Sequence, residues 1–119
     1  MTGILIVDDH AAFRRQARAL LESEGLEVVG EAADGREAVE AVRGLGPEIV
    51  LLDIGLPDVD GFEVARQLAV EPVPPRVVLV SSREATTYGT RIDDSPAAGF
   101  IQKDDLSAAA IGAVLRGVP

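Results

Sequence analysis

The strongest constraint on the fold comes from three short apolar runs. They are residues 4–7 (Ile-Leu-Ile-Val), 49–52 (Ile-Val-Leu-Leu) and 77–80 (Val-Val-Leu-Val). Each is rich in β-branched side chains, shows no polar alternation and stops at a polar residue: Asp8, Asp53 and Ser81. Runs without alternation suit strands covered on both faces, as in a parallel sheet with helices above and below. Residues 27–31 and 99–102 are weaker strand candidates.

Helix-period segments fill the gaps. Phe13, Ala17, Leu20 and Leu21 fall on one stripe, and Gly25 is placed to end that helix. Ala38, Ala41, Val42 and Leu45 form a second stripe. Asp34 with Glu37, and Asp60 with Glu63, have the spacing of capping boxes at the second and third helices. Val64, Ala65 and Leu68 line the third helix, and Ala110, Ile111, Val114 and Leu115 the last. Residues 84–96 read as a short or irregular fourth helix, because Thr86, Thr87, Gly89 and Thr90 are weak helix formers. Strand–helix alternation repeated five times predicts one doubly wound α/β domain over residues 1–119.

The chain of 119 residues carries eleven Lys and Arg against twenty Asp and Glu, a formal charge of −9. So acidic a surface repels phosphate backbones, and direct nucleic-acid binding is not expected. There is no cysteine and one histidine, His10, which excludes disulfides, thiolate chemistry and multi-His metal sites. The opening residues lack a basic segment, and the longest near-apolar stretch, 106–115, is too short to span a bilayer. A cytoplasmic protein with no membrane contact is the expectation.

In open sheets of this kind, ligands bind beyond the carboxyl ends of the strands. Asp8 and Asp9 follow the first strand, Asp53 the third, Ser81 the fourth and Lys103 the fifth. With strands one and three adjacent, three carboxylates cluster, so pKa values must rise or a cation must enter. Oxygen donors without cysteine favour Mg²⁺. A carboxylate can act as nucleophile and form an acyl phosphate, with Lys103 as a point charge and Ser81 as a hydroxyl donor. Each piece alone has a plainer reading: a cap with surface charge, or turn chemistry around Pro57 and Gly61. His10 reads as a first-turn helix residue, and Arg14, Arg15 and Arg18 as a solvated helix face.

Together these residues resemble the receiver domain of two-component response regulators over essentially the whole chain. The matching stretches are Asp8-Asp9-His10, residues 53–61 (Asp-Ile-Gly-Leu-Pro-Asp-Val-Asp-Gly), residues 77–82 ending in Ser81-Ser82, and Gly99-Phe100-Ile101-Gln102-Lys103. The first helix and residues 30–35 are most similar to the subgroup that carries LuxR-type effectors. The resemblance implies a flavodoxin-like (βα)5 fold with strand order 2-1-3-4-5. It implies that Asp53 is the phosphoacceptor for a sensor histidine kinase. Asp8, Asp9, Asp53 and the Gly55 carbonyl would bind Mg²⁺. Ser81 and Phe100 would be the switch pair, and Lys103 the phosphate-binding lysine. Gly55 and Arg83 would flank the path of attacking water and tune dephosphorylation. A homodimer or a downstream protein would dock on the fourth helix, fifth strand and fifth helix. No enzyme activity is implied beyond the domain's own phosphorylation and dephosphorylation.

The chain departs from the pattern at Leu56, where methionine is common, at Asp104, where many receivers have proline, and at Pro96, which takes a glycine position. Rival readings are a docking-only receiver, an aspartyl-phosphate phosphatase and a flavodoxin-type flavin carrier. The phosphatase wants Asp-x-Asp after its first strand, and the flavin carrier wants a hydroxyl-rich loop in place of Asp8-Asp9. The same residues fit a stand-alone receiver and a piece of a longer regulator equally.

Overall fold

The computed structural model describes residues 3–117. Of the expected 1–119 domain, residues 1, 2, 118 and 119 lie outside the described residues. The strands are β1 (Gly3–Val7), β2 (Glu27–Ala32), β3 (Ile49–Asp53), β4 (Arg76–Ser81) and β5 (Gly99–Gln102). The helices are α1 (Ala11–Ser23), α2 (Gly35–Leu45), α3 (Gly61–Ala69), α4 (Arg91–Asp94) and α5 (Ala108–Leu115). All strand pairs are parallel, and the sheet order is β2-β1-β3-β4-β5. This is the flavodoxin-like arrangement.

Alternate residues of the apolar runs feed two separate cores. Leu5, Val7, Val50, Leu52, Val77 and Leu79 pack with Ala38 and Val42 of α2 and Phe62, Val64, Ala65 and Leu68 of α3. Ile4, Ile6, Ile49, Leu51, Val78, Val80 and Ile101 pack with Ala17 and Leu21 of α1 and Ile111 of α5. Burying a side chain of this size contributes roughly 1.5–3 kcal/mol, so this double coverage is what makes the sheet stable without polar alternation.

The caps follow the sequence. Asp34 and Asp60 each accept the backbone N–H three residues on, from Glu37 and Glu63. The Glu37 carboxylate reaches back to the Ala33 N–H, one residue beyond a strict capping box. Gly25 has φ 90°, a left-handed conformation that L side chains avoid, and it ends the first helical segment.

Two stripe positions are corrected. Leu20 and Leu45, expected in the core, are 37% and 52% exposed. Leu45 is the last residue of α2, and Leu20 sits at the edge of the buried face of α1. The fourth helix is short and irregular, as expected, and it is further divided into a 3₁₀ turn (Ala85–Tyr88) and the single turn of α4.

Candidate functional site

Strand register assembles the site. Val7 pairs with Leu52, so the next residues, Asp8 and Asp53, stand side by side at the carboxyl edge. Asp53 pairs with Val80, which puts Ser81 one step further out, and Ser81 pairs with Gln102, the residue before Lys103. One ligand atom from each of Asp8, Asp9, His10 and Asp53 lies within 4.8 Å of the others.

Asp8 is fully buried, which excludes the plain cap-and-surface-charge reading for this residue. Its Oδ1 accepts the His10 N–H at 2.8 Å, and its Oδ2 takes no hydrogen bond from the described residues. Instead Oδ2 lies 2.6 Å from Lys103 Nζ, which is also 3.7 Å from Asp53 Oδ1. The ammonium rests over the Phe13 ring, 4.3 Å from its centroid. Burial, then the Asp8 charge, push the Asp53 carboxyl above its ordinary value; Lys103 and the Gly55 N–H pull the other way without prevailing. Buried carboxylates with spare lone pairs and no sulfur ligand fit a hard divalent cation such as Mg²⁺.

The loop after β3 leaves the Asp53 carboxylate approachable. Gly55 is exposed, and a Cβ placed on it would come no nearer than 4.0 Å to Asp53 Oδ2. At Gly61 a Cβ would lie 2.6 Å from the Asp53 carbonyl oxygen and 2.7 Å from Ile54 Cα. Glycine there lets α3 start directly against the strand end, where the Gly61 N–H bonds the Ile54 carbonyl at 2.8 Å.

Other candidates fall nearby. Ser81 is buried and accepts the Arg83 N–H at 3.0 Å. Phe100 is half-buried on β5. The Arg83 side chain is exposed and forms no ion pair among the described residues.

Two sequence readings change. His10 is not a first-turn residue: it is the N-cap of α1, and its Nδ1 lies 3.1 Å from both Asp8 Oδ1 and Asp9 Oδ1. Arg14 and Arg18 are not a merely solvated face. Both bind Glu31 on β2, at 3.0 and 2.8 Å, and Arg14 also donates to the Asp8 carbonyl at 2.5 Å. Arg15 remains exposed. Glu31 is held below the ordinary carboxylate value: burial opposes this, but the two guanidinium groups prevail.

Tyr88 is the residue that sequence reasoning missed. It falls in the weakly helical segment 84–96, where periodicity assigns no partner, yet its hydroxyl lies 2.6 Å from Ser81 Oγ. Its being the single tyrosine of the chain, seven residues after Ser81, was the one available signal.

The chain belongs to the response regulator receiver domain family, whose family model matches residues 4–113. It is 38% identical over 102 residues to the transcription regulator BvgA of Bordetella pertussis, covering 86% of this chain and 49% of that protein. The chain spans about half the length of the curated relatives it matches. Among solved structures it is similar to a LuxR-family two-component response regulator from Aurantimonas. The TM-score is 0.86 with 31% identity, covering 99% of this chain and 88% of that one. The receiver domain of the response regulator NarL from Mycobacterium tuberculosis gives a TM-score of 0.83 with 35% identity, covering 98% and 94%. Among the described residues no helix is long and apolar enough to cross a membrane.

Proposed function

We propose that this receiver accepts a phosphoryl group on Asp53 from the phosphohistidine of a sensor histidine kinase. The observation that carries this reading is Asp53 at the end of β3, beside buried Asp8, with Lys103 Nζ 3.7 Å from its Oδ1. An Asp53 oxygen attacks phosphorus. The bond from phosphorus to the donor imidazole nitrogen breaks, and its electron pair leaves on that nitrogen. Lys103 meets the phosphoryl oxygens as a point charge.

Asp8, Asp9 and Asp53, with the Gly55 carbonyl, would hold Mg²⁺, and His10 stands at the edge of the same cluster. The ion supplies positive charge that lets a phosphoryl group approach the carboxylates. Ser81 then turns its hydroxyl to a phosphoryl oxygen, and the Phe100 ring moves into the space released. The output face is α4, β5 and α5, where a second copy or a downstream protein docks. The intact acid set with Lys103 supports this reading over a docking-only receiver. The domain acts on no substrate besides its own acyl phosphate.

The test is intact mass after incubation with a small-molecule phosphodonor and Mg²⁺. The wild type gains one phosphoryl group and Asp53→Asn gains none. Equal modification of the two overturns the assignment.

A further inference from the structure

The buried Ser81 hydroxyl has one proton and already accepts the Arg83 N–H. That proton needs an acceptor, because an unpaired buried donor is costly. Among the described residues, the side-chain oxygen at hydrogen-bond distance is Tyr88 Oη, 2.6 Å away. Tyr88 is half-buried, so its own proton can go to water. Its ring packs edge-on against Phe62, with centroids 5.8 Å apart, and tilted against Phe100 at 6.2 Å. Phe62 in turn carries the Arg91 guanidinium 4.3 Å above its ring, and Arg91 pairs with Asp60 at 3.0 Å. One hydroxyl contact therefore joins the carboxyl edge of β4 to the 3₁₀ turn, β5 and the start of α3.

We propose that Tyr88 is a positioning residue that holds the Ser81 hydroxyl in the unphosphorylated protein and releases it when Asp53 is phosphorylated. The inference rests on Asp53 being the phosphoacceptor. The Ser81 proton can serve Tyr88 Oη or a phosphoryl oxygen, not both. The phosphoryl bond is charge-assisted and wins. Once released, Tyr88 keeps only its ring contacts with Phe62 and Phe100, and the turn at residues 85–88 loses its polar tie to the sheet. Removing the Tyr88 hydroxyl leaves the Ser81 proton unpaired at rest, so the resting state rises and the phosphorylated state is favoured.

The whole chain can be titrated with beryllofluoride and Mg²⁺, beryllofluoride standing in for the phosphoryl group. Tyr88→Phe keeps the ring and removes the acceptor. It is expected to bind beryllofluoride about two- to tenfold more tightly than the wild type, the worth of one net hydrogen bond. Tyr88 is the one tyrosine and there is no tryptophan, so near-ultraviolet absorption at wavelengths beyond the phenylalanine bands reports on it alone. The wild-type spectrum should shift on binding. Ser81→Ala, in which the pair is already broken, should lack that shift. Equal or weaker binding by Tyr88→Phe, or the same shift in Ser81→Ala, overturns the inference and leaves the phosphoacceptor reading standing. Failure of the wild type to bind beryllofluoride overturns both.

Discussion

Lys103 stands closer to Asp8 than to Asp53: its Nζ is 2.6 Å from Asp8 Oδ2 and 3.7 Å from Asp53 Oδ1. Before any phosphoryl group arrives, the lysine therefore neutralises a fully buried carboxylate. Removing one partner of a buried pair leaves an uncompensated charge, at a cost of several kcal/mol. Lys103→Met should lower the unfolding free energy by about 3 kcal/mol in metal-free buffer. Asp8→Asn added to it should recover part of the loss. Urea unfolding checks this, and a Lys103→Met variant as stable as the wild type contradicts it.

The acid cluster predicts a response to Mg²⁺. A cation that binds only the folded chain stabilises it by mass action, about 1.4 kcal/mol at tenfold excess over Kd. The melting temperature should rise from EDTA to saturating Mg²⁺, and the rise should shrink in Asp9→Asn. A wild-type melting temperature indifferent to Mg²⁺ contradicts the site.

Asp58 predicts acid sensitivity on the far side of the β3–α3 loop. Its carboxylate accepts the N–H groups of Gly35 at 2.9 Å, Arg36 at 3.1 Å and Val59 at 2.9 Å, tying the start of α2 to the loop that follows Asp53. The Gly35 bond, with the other two, holds its carboxyl below the ordinary value against the opposing effect of burial. The folded state thus binds fewer protons than the unfolded state in the interval just below about pH 4. The stabilisation is complete above that interval and is lost as pH falls through the folded value. Asp58→Ala should cost about 1 kcal/mol at pH 7, as for loss of a helix cap. The gap to wild type should narrow at pH 3. Urea midpoints at the two pH values test this, and a gap that widens on acidification contradicts it.

The sheet and the acid set were legible because both depend on position along a strand. Unbroken apolar runs announce strands covered on two faces, and the residue that ends each run lands on the carboxyl edge whatever the side-chain details. The contact between Tyr88 and Ser81 was not legible, because it depends on how a Thr- and Gly-rich segment breaks into a 3₁₀ turn. Periodicity carries no such information. The Arg14 and Arg18 bonds to Glu31 were hidden for a related reason. They cross from a helix to an adjacent strand, and a helical stripe registers only contacts within the helix. The exposure of Leu20 and Leu45 marks where a stripe outruns the sheet it faces.

Gly55 and Arg83 predict the lifetime of the acyl phosphate. Gly55 presents no side chain to the Asp53 carboxylate, which leaves Arg83 as the candidate to hinder attacking water. The Arg83 backbone is anchored to Ser81, and its long side chain is exposed. Arg83→Ala should shorten the phosphoryl half-life a few-fold by opening the water path. Identical half-lives for the two proteins contradict this role.

Asp53, and no other acid of the cluster, is expected to become the acyl phosphate. Borohydride reduction after treatment with the phosphodonor and Mg²⁺ converts an aspartyl phosphate to homoserine, which peptide mapping locates. Homoserine is expected at residue 53 in the wild type and nowhere in Asp53→Asn. Homoserine at residue 8 or 9, or an unreduced Asp53 in protein that has gained phosphoryl mass, would contradict it.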